Sequence, residues 1–395
     1  MNQQQRKICI VTTTRADWGL LCPLARALKA DRRCQLSVVA GNMHLDPRYG
    51  MTVDEIEADG FDVAARVPLS PANDSPQAVA AATGQFMTGM AQALAAIGPH
   101  IVVLLGDRFE MLAVASAATV MGIPLAHIAG GEITEGAIDD NVRHALTKLS
   151  ALHFTATEEY RQRVISMGEQ PHMVVNAGAL GVYNLAHEPL MPKEQLEASV
   201  GMTFDSPTLL VTLHPATRDT VPAATRCKAL LDALDRFPQA RIIFTHPNND
   251  PDGRVIIEMT ERYAAARPMT KVVPSLGRRR YLSALRYVDA VVGNSSSGLV
   301  EVPAAGIPTV DIGIRQQGRT AGPSVIHCQA DADSIAQAID RALACTTRQP
   351  PAQNPYFKPD TPGIIARRLL DTPLADLRVK HFHQPNAHIA NGSET

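Results

Sequence analysis

Ile101-Val-Val-Leu-Leu-Gly-Asp-Arg-Phe-Glu110 decides the fold class. Five apolar residues run without interruption and then break, at a glycine, into an acid, an arginine and a second acid. A strand buried on both faces of a parallel sheet requires such an unbroken run. Polar residues just past its carboxyl end fall where open α/β sheets bind ligands. The pattern recurs at Ile123–Ile128, which leads into His127-Ile-Ala-Gly-Gly-Glu132, and Asp139-Asp-Asn-Val-Arg143-His144 opens the next amphipathic segment. Acids, arginines, histidines and paired glycines gathered at strand ends predict chemistry on an anionic, polar substrate.

Working outward, seven such runs are expected in the first half, from Lys7–Thr13 to Val174–Asn176, separated by helical patterns such as Leu20–Ala30 and Ala78–Ile97. A second series of six begins at Thr208–Leu213 and ends at Ser324–His327. Leu185–Pro192, with two prolines and weak periodicity, reads as the hinge between them. The chain is therefore read as α/β, with two Rossmann-like domains whose parallel sheets face a cleft. Residues 1–185 form the first, residues 186–382 the second, and 383–395 a disordered tail. The last expected helix, Thr361–Leu370, is a candidate to cross back to the first domain.

The bulk properties exclude several classes. A chain of 395 residues is long enough for two cores. A net charge of −2 and 4% aromatic residues supply neither the basic footprint nor the stacking platform of a nucleic-acid binder. No apolar run reaches membrane-spanning length and no secretory signal is recognisable, so a membrane is not an expected partner and the cytoplasm is the expected compartment. Cys9, Cys22, Cys34, Cys227, Cys328 and Cys345 form no CxxC pair and read as reduced core thiols. His127, His144 and His153 lack metal-binding spacing, so no metal is expected, and the first strand ends without a dinucleotide fingerprint, so neither is a nicotinamide cofactor.

Five further strand ends carry candidate chemistry. Thr12-Thr-Thr-Arg15-Ala-Asp17-Trp-Gly19 reads either as a phosphate site at a helix start, with Arg15 beside it, or as a helix capped by Asp17. Gly293-Asn-Ser295-Ser296-Ser297-Gly298-Leu-Val-Glu301 reads as a diphosphate turn with a carboxylate one turn on, suited to ribose hydroxyls, or as a plain capped Gly/Ser turn. Its spacing misses GxSxG, which counts against a serine hydrolase. Leu213-His214-Pro215 and Thr245-His-Pro-Asn248 end two further strands, their histidines open to a structural or a functional role. Arg315 and Arg319 follow another and have the fork geometry for phosphate.

Together TRADWG, GNMH, GDRFE, HIAGGE, IDDNVRH, LHP, PNND, GNSSSGLVE and GIRQQGR, in this order from Lys7 to about Arg319, resemble the hydrolysing UDP-N-acetylglucosamine 2-epimerases of sialic acid synthesis and their relatives in legionaminic acid synthesis. That resemblance implies a two-domain GT-B fold, a UDP-sugar substrate, no cofactor, and a homodimer or homotetramer. It implies acid/base roles for Asp107 and Asp139, with Arg108 and Arg143 beside them, and nucleotide contacts from Arg15, His214, Ser295, Ser296, Glu301 and Arg315. His44 would approach the sugar, and Ser297, Gly298 and Asn248 join the expected substrate-binding set. Many relatives carry an acid where this chain has Ala129, so that proton is expected to fall to Glu132 or to be shared with water or Asp107.

The implied reaction is anti elimination of UDP to a 2-acetamidoglucal, followed by hydration to free N-acetylmannosamine. The alternative substrate is UDP-2,4-diacetamido-2,4,6-trideoxyglucose. A non-hydrolysing 2-epimerase, a GT-B glycosyltransferase and a non-catalytic nucleotide-sugar-binding regulator are the competing readings. Carbon 2 is barely acidic, so leaving-group stabilisation by arginines and a helix N-terminus must carry much of the barrier. Asp107, Glu132 and Asp139, if clustered, should split their pKa values into an acid and a base.

Overall fold

The computed structural model describes residues 5–73, 75–134, 138–205, 207–216, 221–247, 252–345 and 354–384. The expected disordered tail lies, from residue 385 on, outside the described residues, as does Asn248. Two compact units emerge: Met1–Glu132 with Asn141–Gly178 and Thr361–Thr395, and Ile133–Asp140 with Ala179–Asp360. The helix Leu180–His187, which a boundary at residue 185 would cut, lies whole in the second unit.

The first unit is built on a seven-stranded sheet of β1 (Arg6–Thr12), β2 (Cys34–Gly41), β3 (Val63–Val67), β4 (Ile101–Leu105), β5 (Leu125–Ile128), β6 (Leu152–Thr155) and β7 (Val174–Asn176). The order is β3-β2-β1-β4-β5-β6-β7, with every pair parallel. All five residues of β4 are buried, as its unbroken apolar run requires. Val102 and Leu104 pack with Phe86, Leu94, Met111 and Val114 from the helices Pro76–Ile97 and Phe109–Val120. By strand alternation Ile101, Val103 and Leu105 face the other way. β5 begins two residues later than expected, because Pro124 has no N–H to give the ladder, although its carbonyl accepts from Val102.

The second unit repeats the plan with β8 (Thr208–Thr212), β9 (Arg241–Thr245), β10 (Thr270–Val273), β11 (Ala290–Gly293), β12 (Thr309–Ile312) and β13 (Val325–Cys328). Its order, β10-β9-β8-β11-β12-β13, is again all parallel. Two cores flank this sheet. One holds Leu209, Val211, Val292 and Val310, the other Leu210, Ile243 and Val291. Cys9, Cys22, Cys34 and Cys227 are buried thiols as expected, but Cys328 is half-buried and Cys345 is exposed.

In each sheet the strand order reverses once, between β1 and β4 and between β8 and β11. The loops leaving those neighbouring strands diverge, which is where such sheets leave room for a ligand. Thr12–Asp17 and Gly106–Glu110 leave the first pair, and Leu213–Pro215 and Asn294–Gly298 leave the second.

Close approach at the second reversal depends on Gly293. Its φ is +142°, and a β-carbon there would overlap the Thr212 carbonyl. Gly293→Ala should therefore cost about 2 kcal/mol or more of unfolding free energy. Gly84→Ala, in a helix with open space around the position, should be neutral or stabilise by up to about 1 kcal/mol. Urea denaturation of both variants checks the contrast, and equal losses would contradict this account of Gly293.

Candidate functional site

In the first unit, the site builds from the turn that ends β4. Gly106 takes a left-handed φ of +76°, turning the chain so that Asp107 and Arg108 follow immediately. The turn is held from below by His127 on β5, whose Nε2–H donates to the Gly106 carbonyl at 2.7 Å. Thr147 lies 3.3 Å from the other ring nitrogen. Burial pushes the His127 pKa down to about 4, so the ring is a neutral brace rather than a proton carrier near neutrality.

Asp107 is 28% exposed and is gripped by Arg143, which is buried. The Arg143 Nε donates to Asp107 Oδ2 at 2.9 Å and Nη2 donates to the same oxygen. Its Nη1 reaches the Glu132 carbonyl at 2.9 Å, so one guanidinium fixes both the acid after β4 and the end of the HIAGGE turn. Glu132 is itself buried. Asp139 opens the helix Asp139–Leu149, one turn before Arg143, and groups with the second unit.

Arg108 turns inward. Its Nε donates to Glu110 Oε1 at 2.7 Å, and Asn42 donates to the same oxygen at 2.8 Å. Glu110 is fully buried, and its Oε2 has no hydrogen-bond partner. Burial raises its pKa, but the charge and hydrogen bonds of Arg108, with Asn42, outweigh that and leave it lowered. Asp17 is shifted the other way, raised by burial with a further push from Glu110. Opposed carboxyl shifts thus occur at Asp17 and Glu110, around Arg108. Asn42 (φ +47°) and Glu110 were not singled out by sequence reasoning, although both lie inside quoted motifs.

One expectation is corrected here. The helix Arg15–Ala30 is capped by Thr14, not Asp17. Thr14 accepts from the Asp17 N–H at 3.1 Å, and the Asp17 carboxylate accepts from the Thr14 N–H at 3.1 Å, a reciprocal capping box. Arg15 is the first helical residue, with a side chain 37% exposed and 3.7 Å from Glu55. His44 is held within the chain. It is fully buried, with Thr12 at 3.0 Å and Thr52 at 2.9 Å from its two ring nitrogens, and burial lowers its pKa to about 4. It braces the ends of β1 and β2 from within.

In the second unit, Ser295, Ser296 and Ser297 are half-buried at the start of the helix Ser297–Ala304, with Ser296 as its N-cap. Tyr281 places its hydroxyl 2.6 Å from Ser297, whose own hydroxyl is 3.4 Å from Ser295. Gly298 is buried against Thr309, which donates to its carbonyl at 2.6 Å. Glu301 is pushed up to about 7 by burial. It lies against Gly181, where any β-carbon would collide with the carboxylate. His214 is buried and lowered to about 3, first by burial and then by the charge of Arg315. It therefore offers an anion hydrogen bonding, while charge comes from arginine. Arg315 Nη1 donates to the Asn294 carbonyl at 3.0 Å. Asn294, buried between Gly293 and the serines, was also missed, and nothing in the sequence distinguishes it from a turn asparagine.

A cavity of about 610 Å³ lies elsewhere in the first unit, ahead of the amino-terminal ends of β6 and β7, with Ala151, Glu169, Met173 and Lys380 in its walls. It is remote in topology from every motif above.

The family model for UDP-N-acetylglucosamine 2-epimerases matches residues 26–370. The hydrolysing GDP/UDP-N,N'-diacetylbacillosamine 2-epimerase of Campylobacter jejuni is 36% identical over 338 residues, 85% of this chain and 87% of that protein. The hydrolysing UDP-N,N'-diacetylbacillosamine 2-epimerase of Legionella pneumophila is 34% identical over 338 residues, 86% and 89% of the two. Among solved structures, Neisseria meningitidis UDP-GlcNAc 2-epimerase bound to UDP-GlcNAc superposes with a TM-score of 0.78 at 16% identity, covering 93% of this chain and all of that one. That likeness speaks to the fold, two parallel-sheet α/β domains of GT-B type. The class so defined is the nucleotide-sugar 2-epimerases. This chain belongs to the UDP-N-acetylglucosamine 2-epimerase family, in its hydrolysing branch.

Arg108 is 32% exposed and is the charge partner of a carboxylate with no exposure at all. Arg108→Leu should cost about 2–3 kcal/mol at neutral pH, somewhat below a fully buried pair because the guanidinium is partly screened. In a Glu110→Gln background the same change should cost markedly less. A double-mutant cycle by urea denaturation checks this, and additive losses would mean the two side chains are not coupled.

Proposed function

We propose that this enzyme eliminates UDP from a UDP-2-acetamido sugar and hydrates the resulting glucal to the free manno-configured sugar. The observation that carries the reading is Asp107, partly exposed at the strand reversal and locked by the buried Arg143. A carboxylate fixed in this way is suited to moving the carbon-2 proton without reorienting. In the elimination the carbon-2 hydrogen leaves as a proton to an enzyme base, the C1–O bond breaks, and its electron pair departs with UDP. Water then adds its hydroxyl at carbon 1 while carbon 2 takes a proton from the opposite face. Asp107, Asp139 and Glu132 are the candidate acid/base groups, and Arg143 holds Asp107 and the Glu132 turn. Arg15, His214, the serines, Gly298, Glu301 and Arg315 are assigned to UDP, with Arg108 near the reacting sugar.

For the sugar we propose the 2,4-diacetamido-2,4,6-trideoxyglucose of N,N'-diacetylbacillosamine, which the C. jejuni and L. pneumophila relatives carry in their names. UDP-N-acetylglucosamine, giving N-acetylmannosamine for sialic acid synthesis, is the second reading, favoured by the family model's own description. We also propose a homodimer or homotetramer. The helix Pro76–Ile97 supports this, because it has no charged residue yet exposes Ala80, Ala81, Gly84 and Gln85.

A proton NMR time course with each UDP sugar in D₂O tests the reaction. Free manno sugar carrying deuterium at carbon 2, with stoichiometric UDP, is the expected outcome. An epimerised but intact nucleotide sugar would place the enzyme with the non-hydrolysing epimerases, and no change in either sugar would overturn the proposal. In the same assay Asp107→Asn should lower turnover at least about 10²-fold with little change in UDP affinity. Near-normal turnover would remove Asp107 from the chemistry.

Glu301 supplies a pH signature. Its pKa of about 7 lies well above the ordinary carboxyl range, so it takes up a proton as pH falls through neutrality. An ionised carboxylate accepting both ribose hydroxyls is lost in that step, so UDP affinity should fall below about pH 7, by up to about tenfold per unit. In Glu301→Gln calorimetry should show weaker binding from which this component is missing. An unchanged pH profile in the variant would detach Glu301 from the ribose.

A further inference from the structure

Asn294 is a buried carboxamide whose every polar group is committed, and its commitments join three separate motifs. Its main-chain N–H donates to the Thr212 carbonyl at 3.2 Å, one step past the last β8–β11 pair. Its side chain then takes over. Oδ1 accepts from the His214 main-chain N–H at 2.7 Å, and Nδ2 donates to the His214 carbonyl at 2.9 Å. A carboxamide has the donor and acceptor of a peptide group, so this pair copies one more rung of ladder where the strands themselves have ended. The Asn294 carbonyl meanwhile accepts from Arg315 at 3.0 Å and from Gln316 at 2.8 Å. Asn294 and Gln316 are each 1% exposed, so the bonds of the Asn294 side chain and of Gln316 are shielded from bulk water.

We infer that Asn294 is a positioning residue for the nucleotide site, setting His214 through its side chain and Arg315 through its main chain. The inference rests on the assignment of UDP to this part of the second unit. Asparagine is required because His214 presents a donor and an acceptor side by side. An ionised aspartate keeps the first bond but turns an acceptor toward the His214 carbonyl. A protonated aspartic acid restores a donor there, in nearly the same shape. A residue serving only as packing would show no such dependence on protonation.

The test is UDP binding to the full chain by isothermal titration calorimetry, wild type and Asn294→Asp side by side from pH 8 to pH 5.5, with thermal melts confirming a cooperative fold. At pH 8 the variant should bind UDP about 10- to 100-fold more weakly, as a buried acceptor facing an acceptor dictates. The ratio to wild type should shrink as pH falls and the introduced acid protonates. Using the ratio removes any pH dependence the two proteins share. Equal affinity at pH 8, or a ratio that does not change with pH, overturns the inference. Failure of the wild type to bind UDP would instead overturn the nucleotide assignment. If Asn294→Asp does not fold, Gln316→Met removes one donor to the Asn294 carbonyl while Arg315 keeps the other. It should weaken UDP binding about threefold to tenfold, and wild-type affinity there overturns the inference equally.

Discussion

The reversal of strand order beside β1 and β8 is the constraint on which the rest of this molecule depends. A parallel sheet must return each connection over one of its faces, and the loops at a reversal must leave in opposite directions. The space so created is surrounded by strand carboxyl ends and the starts of helices. Several backbone N–H groups there are already satisfied within the chain, Thr14 and Asp17 by the capping box and His214 and Asn294 by the bonds around Asn294. Every motif with charge or hydroxyls near a reversal is there because the topology offers few other places for groups that want a ligand rather than a core.

What occupies the two reversals differs in kind. In the first unit charge is balanced against charge, Arg143 with Asp107 and Arg108 with Glu110. Such pairs hold ionised groups in fixed orientation within a poorly solvated wall, which acid/base chemistry needs. In the second unit the groups are hydroxyls, carboxamides and a guanidinium gathered around one turn, a donor-rich environment suited to a phosphate chain. The proposed division of labour, with proton transfer in one unit and leaving-group binding in the other, rests on this difference between the two sets of side chains.

How much of this was legible in the sequence depends on whether neighbours in the chain or neighbours in space decide the outcome. The β4 run announced its strand because burial on both faces leaves no room for a polar residue. Gly106 and Gly293 announced turns because few other residues tolerate their backbone. The cap of the first helix was misread by three residues, since Thr14 and Asp17 both suit the N-terminus and only the reciprocal bond between them shows which is the cap. The inward turn of Arg108 was invisible, because a carboxylate two residues on competes with any ligand and sequence carries no distances. His44 was expected at the sugar. Its placement is decided by the hydroxyls of Thr12 and Thr52, one 32 positions before it and the other 8 after. Asn294 was hidden for the same reason, since its partner His214 lies 80 residues away.

The histidines of this fold have a consequence for attributing its ionisations. His44, His127 and His214 all lie in the motifs that define the site, and burial holds them at about 4, 4 and 3. Its cations are all arginines, Arg15, Arg108, Arg143 and Arg315. These imidazoles are therefore spectators to acidity across the neutral range, although a reader of the motifs would name them first. A protonation event near neutrality in those motifs is not to be assigned by default to these three rings, and Glu301, raised to about 7 by burial, is a carboxyl group that titrates in that range.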